Sequence, residues 1–122
     1  MTESGTPRPP DVFVVLDALD AARLASFWAK ALHYRRLERM EQYEVLAPPE
    51  GVAAPVMLLQ QVTEPTPGKL RMHLDLHVPD AEAEAHRLVA LGATRIGEGT
   101  LGEIRWICMS DPEGNVFDLG WQ

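Results

Sequence analysis

Cysteine is almost missing from this chain. One residue of 122, Cys108, carries a thiol, which excludes a disulfide framework and a cysteine-based zinc site. A reducing, cytoplasmic compartment is the matching expectation. Positive charge is also scarce: 11 Lys and Arg stand against 18 Asp and Glu, a formal net charge of -7. Recognition of a nucleic-acid backbone needs a basic patch or stripe. The arginines that do cluster, Arg35, Arg36 and Arg39, lie among Glu38, Glu41 and Glu44, so no nucleic-acid partner is expected. No apolar run approaches the ~18 residues of a membrane span. The opening MTESGTPRPP has no apolar signal-peptide centre and reads as a flexible leader over residues 1–10. What remains is 46% apolar overall, enough for one domain over 11–122 with a core of its own.

The stretch 70–78 organises the rest. Met72, Leu74, Leu76 and Val78 alternate with Arg71, His73, Asp75 and His77, the period of a strand with one buried face. Its second face carries two imidazoles around a carboxylate, where a plain solvated face more often has Lys, Thr or Glu. Upstream, residues 12–16 read as a strand. Asp20 is a candidate N-cap, and Ala21, Leu24, Ala25, Trp28 and Leu32 recur at helical spacing. Strands follow over 34–40, 43–46 and 55–62. Pro65, Pro67 and Gly68 then mark 63–69 as a linker.

Downstream the order recurs. Asp80 caps a helix with Ala81, Ala85, Leu88 and Val89 on its apolar stripe, and Gly92 closes it. Strands are expected over 93–97, 103–109 and 116–119. A glycine-rich turn is expected over 98–102, and a second turn, with Pro112 and Gly114, over 110–115. The helix boundaries of the two halves are offset by about 60 residues, an internal repeat of 11–62 and 70–121. A half with one sheet and one helix leaves its other sheet face open, so two halves can cover each other or curl around a cavity.

This pattern resembles the vicinal oxygen chelate superfamily of glyoxalases, bleomycin resistance proteins and extradiol dioxygenases, and more narrowly its short actinobacterial glyoxalase-like members. The resemblance rests on residues 24–32, on 71–76, on 88–93 and above all on the turn Asp111-Pro112-Glu113-Gly114-Asn115 with the following Val116-Phe117-Asp118-Leu119. It implies an α+β fold of two βαβββ modules forming a curved mixed sheet around a central cavity. It implies metal ligands at His73 and Asp118, the latter standing where the family usually carries Glu. The matching places in the first half are Phe13 and Leu58, which cannot bind a metal; Gln60 is two residues further along the same strand face.

Two functions follow. The favoured reading is a small-molecule binding protein without a metal or other cofactor. Its largely apolar pocket would take a ligand such as an aromatic compound, with His73, Asp118 and Asp75 on one side and apolar residues of the first half on the other. Phe13, Leu58, Met40 and Trp106, whose facing side stays open, are the candidates for an apolar floor, and Gln60 is a further candidate contact. Arg71 stands at the rim, as an anion anchor or a salt-bridge partner. The alternative is a metal-dependent lyase, isomerase or dioxygenase holding Zn, Mn or Fe through His73 and Asp118, with Asp75, Gln60 or substrate completing the shell. Whether a reaction is catalysed stays open at this point, and a homodimer is compatible with either reading. Cys108 has no positioned base and reads as a small buried hydrophobe.

Overall fold

The computed structural model describes residues 12–65 and 73–121. The leader, residues 66–69 of the linker and Arg71 lie outside the described residues. The first module runs β1 (Phe13–Ala18), α1 (Ala21–Leu32), β2 (Arg35–Arg36), β3 (Tyr43–Ala47) and β4 (Val56–Gln61). The second runs β5 (Leu74–His77), α2 (Ala81–Leu91), β6 (Thr94–Leu101), β7 (Ile104–Ser110) and β8 (Val116–Trp121).

Both helices begin where an aspartate accepts from an otherwise unpaired amide. Asp20 takes the Arg23 N–H at 3.2 Å and Asp80 the Ala83 N–H at 3.1 Å. The first helix ends at His33, left-handed at φ 57°, whose N–H returns to the Ala29 carbonyl. That conformation costs a non-glycine residue roughly 1 kcal/mol. Helix α2 ends at Gly92. Each helix buries one stripe, with Leu24, Phe27 and Trp28 on α1 and Ala81, Ala85 and Leu88 on α2.

The strand order is β1-β4-β3-β2 in one sheet and β5-β8-β7-β6 in the other. The β1/β4 and β5/β8 pairs are parallel and the remaining pairs antiparallel. Alternate residues of each sheet, Met57 and Leu59 or Ile107, Met109, Phe117 and Leu119, join the helix stripes in one core. Trp28 sits where the modules meet. Its ring centroid is 5.2 Å from that of Phe27 and 5.0 Å from that of Phe117. Its Nε1–H donates to Asp111 Oδ2 at 2.9 Å. Glu113 accepts from the Leu19 and Asp20 amides, and Arg87 donates to the Lys30 and Ala31 carbonyls.

The expected single curved sheet around a central cavity is not what forms. Each module has its own four-stranded sheet, and no described strand of one lies beside a strand of the other. The physical reason is where the apolar surface goes. The helix stripes and the inner sheet faces bury each other, with α1 and α2 as the elements that meet across the module boundary. The other face of each sheet stays open, so Phe13 and Val15 are 55% and 51% exposed.

A second correction concerns the glycine-rich segment over 98–102. Strand β6 continues through Gly97 and Gly99 to Leu101, and only Gly102 and Glu103 turn. Turn propensity loses here to pairing with β7 along its length. The arginines among the glutamates behave as their spacing suggests. Arg36 and Arg39 both bind the buried Glu44 at 2.9 Å, and Arg35 lies 3.5 Å from Glu50.

Candidate metal centre

The parallel pairing of β5 with β8 sets Asp75 opposite Asp118. His73, two residues before Asp75, projects on the same open face. His73 Nε2 lies 3.0 Å from Asp75 Oδ1 and 3.4 Å from Asp118 Oδ2. One ligand atom from each of the three residues falls within 4.8 Å of the others. His73 and Asp75 are about half exposed, whereas Asp118 is 19% exposed. Asp118 Oδ1 is fully buried and has no hydrogen-bond partner among the described residues. A buried carboxylate oxygen without a donor is costly, and a cation is one way to satisfy it.

These residues fit a divalent metal. Two carboxylates and a neutral imidazole supply an N,O donor set of suitable charge for Zn, Mn or Fe. His73 Nε2 faces both carboxylates, which places that nitrogen to serve as a ligand beside them. Three protein donors also leave positions for substrate, as catalytic sites require. The expectation of a protein with no metal or cofactor is therefore corrected. The cluster favours a metal held by His73 and Asp118, with Asp75 as a third donor from the same module.

The strand register relates the modules. Val15 stands opposite Leu58 as Asp75 stands opposite Asp118, and Phe13 precedes Val15 as His73 precedes Asp75. Phe13, Leu58 and Gln60 thus lie on the first sheet, and Trp106 lies on the second with His73, Asp75 and Asp118. The apolar floor expected from Phe13, Leu58, Trp106 and Met40 does not assemble. Phe13 and Met40 are exposed, and Trp106 is on the other sheet. A cleft of about 180 Å³ lies elsewhere, beside α1 and the end of α2, lined by Arg23, Phe27, Lys30, Leu91 and Pro112 among others.

Trp106 and Cys108 share the face of Asp118, because Cys108 pairs with Asp118 and Trp106 with Gly120. Cys108 is half-buried. Burial pushes its thiol pKa up, the neighbouring Asp118 carboxylate adds to the rise, and the Trp106 indole works against it. The rise includes a hydrogen bond from the thiol, a weak donor, to the Asp118 carboxylate. His77 is exposed, with its ring beside Gly120.

Sequence reasoning did not single out Asp111 as a structural centre. Its carboxylate accepts from Trp28 Nε1, from the Glu113 and Asn115 amides and from Asn115 Nδ2. The available signal was an Asx residue at the head of a Pro-Glu-Gly-Asn turn, which predicts a local bond but not the distant tryptophan.

Residues 13–120 match the family model of the glyoxalase-like domain, and the chain belongs to that family. Its fold is that of the glyoxalase, bleomycin resistance protein and dioxygenase superfamily. A glyoxalase/bleomycin resistance protein/dioxygenase family enzyme from Burkholderia phytofirmans PsJN is 18% identical, with a TM-score of 0.75 over 92% of this chain and 98% of that one. A glyoxalase-related enzyme from Fulvimarina pelagi is 15% identical, with a TM-score of 0.70 over 93% and 88%. The fosfomycin resistance protein FosX from Mesorhizobium loti is 16% identical, with a TM-score of 0.69 over 99% and 94%. At these identities the likeness concerns the fold. No curated protein matches the chain. No described helix is long and apolar enough to cross a membrane.

Proposed function

We propose that this chain is a metal-dependent enzyme of the glyoxalase-like type, a lyase, isomerase or dioxygenase acting on a small molecule with adjacent oxygen atoms. One observation carries the reading: His73, Asp75 and Asp118 offer donors within 4.8 Å of one another, beside a buried, unpartnered oxygen of Asp118. A divalent cation held there supplies Lewis-acid stabilisation of negative charge developing on substrate oxygens. His73 and Asp75 hold the exposed side of the site, Asp118 anchors its buried side, and the open sheet face admits the substrate. Asp118 stands where the wider family usually has Glu. Its shorter side chain is offset by Asp75, which the parallel register places directly opposite.

The first module supplies no ligand from Phe13 or Leu58. Its exposed apolar face, including Phe13 and Val15, suits coverage by a second copy of the chain, and we place the protein as a homodimer. The acidic net charge supports an assignment without a nucleic-acid partner, the lone thiol supports a cytoplasmic location, and the resemblance supports the short actinobacterial type. Metal content by elemental mass spectrometry tests the central claim. Protein purified without chelator or polyhistidine tag is compared with His73→Ala. About one equivalent of a transition metal in the parent, lost in the variant, is the expected result. Absence of metal in both, even after incubation with Zn, Mn and Fe(II), overturns it.

A further inference from the structure

The sheet face that carries the triad has a second row of residues beside it, in which large flat rings alternate with glycine. Across the strands, one row reads Asp75, Asp118, Cys108 and Gly97. The next reads His77, Gly120, Trp106 and Gly99. The rows are two residues apart along each strand, about 7 Å, and diagonal neighbours such as Asp118 and Trp106 are within reach of a side chain the size of indole.

Both rings lie close to a glycine of the neighbouring strand. A Cβ built on Gly99 would meet the Trp106 ring at 2.5 to 2.9 Å, so only glycine leaves the indole room where it lies. A Cβ on Gly120 would lie 3.6 to 3.7 Å from the His77 ring. Trp106 keeps part of its surface exposed while lying low against β6. Gly97, opposite Cys108, has nothing within 4 Å of a built Cβ. The row beside the triad is therefore flat and aromatic, with aliphatic side chains one row further out on either side, Val116 beyond Asp118 and Ile104 and Leu101 beyond Trp106 and Gly99.

We infer that Trp106, seated on Gly99, is a specificity-determining platform that selects ligands whose oxygen-chelating head is attached directly to a planar aryl ring. The inference rests on the proposed metal centre at His73, Asp75 and Asp118. The oxygens engage that centre while the attached ring lies against the indole, a geometry that favours offset stacking. Gly99 acts as a positioning residue, since it sets the height of the indole above the sheet. A tryptophan covering an edge-strand glycine also stabilises the strand, so the test must read ligand preference and not stability alone.

Two probes share one chelating head and differ in the ring: benzohydroxamate and acetohydroxamate. Binding of each to the Zn-loaded protein is measured by calorimetry, beside Trp106→Ala, Trp106→Phe and Gly99→Ala, with bound metal quantified in every sample. The expected result is a preference for benzohydroxamate of about tenfold in the parent. It is largely retained in Trp106→Phe and falls severalfold in Trp106→Ala and Gly99→Ala, with acetohydroxamate affinity unchanged. Gly99→Ala keeps every platform side chain, so it decides the matter should Trp106→Ala fail to fold. Equal binding of both probes to metal-loaded parent, or a preference that survives Trp106→Ala or Gly99→Ala, overturns the platform and leaves the metal centre standing. Failure of the parent to take up metal overturns both.

Discussion

The two modules place matching strands and helices around different outer faces. Their N-caps, Asp20 and Asp80, stand 60 residues apart, as do Phe13 and His73, Val15 and Asp75, and Leu58 and Asp118. Both modules bury the inner face of a four-stranded sheet against a capped helix. On the outer face, Phe13, Val15 and Leu58 in one stand where His73, Asp75 and Asp118 stand in the other. Buried alternation and capping set the fold, and the residues left over on the open face are free to differ. Chemistry can then reside in one module while the other presents an apolar surface.

The strongest way to break this comparison is to remove ligands from one side only. His73→Ala or Asp118→Ala is expected to weaken Zn or Mn binding by more than about a hundredfold, beyond what outer-shell changes cost. Phe13→Ala and Leu58→Ala should leave it unchanged. Calorimetric titration of the four variants distinguishes the modules, and equal loss on both sides would place the metal across them. The converse experiment sharpens the point. Phe13→His, Val15→Asp and Leu58→Asp combined copy the second triad onto the first, since the parallel register is the same. A second equivalent of bound metal is expected, more weakly held, by elemental analysis of the dialysed protein.

A third experiment addresses what joins the modules. Asp111 has no counterpart in the first half, and its buried carboxylate binds Trp28 of α1 as well as its own turn. Asp111→Ala leaves the buried indole N–H without its acceptor and the turn amides without theirs. A loss of about 3 to 5 kcal/mol of stability is expected, read from the urea midpoint. Trp28→Phe removes one of those bonds and should cost less, about 1 to 3 kcal/mol.

Much of this arrangement is legible in the sequence, for physical reasons that also mark the limits. Helix stripes and caps are local, so Asp20, Asp80, Trp28 and Leu88 can be placed from spacing alone. Alternation over 72–78 puts His73 and Asp75 on one face. Alternation does not say what covers that face, so the sequence suggests one curved sheet around a cavity where two separate sheets form. The strand character of Gly97 and Gly99 is set by long-range pairing with β7 and by the Trp106 ring, neither visible in a glycine-rich run. The metal-free expectation came from missing ligands at Phe13 and Leu58. It gave too little weight to Asp75, which lets a single module assemble three donors.

The smallest expected effect lies on the helices, where the modules also diverge. Leu24 and Phe27 are buried on α1, and the positions 60 residues later on α2 are Glu84 and Arg87, an ion pair at 2.7 Å. Arg87 spans the boundary to the Lys30 and Ala31 carbonyls, so the pair ties the polar stripe of α2 to the end of α1. Hydrogen bonding to Arg87 lowers the Glu84 pKa below its ordinary 4.5 despite opposing desolvation. A carboxylate with a depressed folded-state pKa contributes stability above its unfolded value and loses it as pH falls through the folded one. Glu84→Gln should therefore cost about 0.5 to 1 kcal/mol at pH 7. The gap between parent and variant should narrow below pH 4.5. Urea unfolding of both proteins across that range reads the difference, and a gap independent of pH would mean that Arg87 holds α1 without help from the carboxylate's charge.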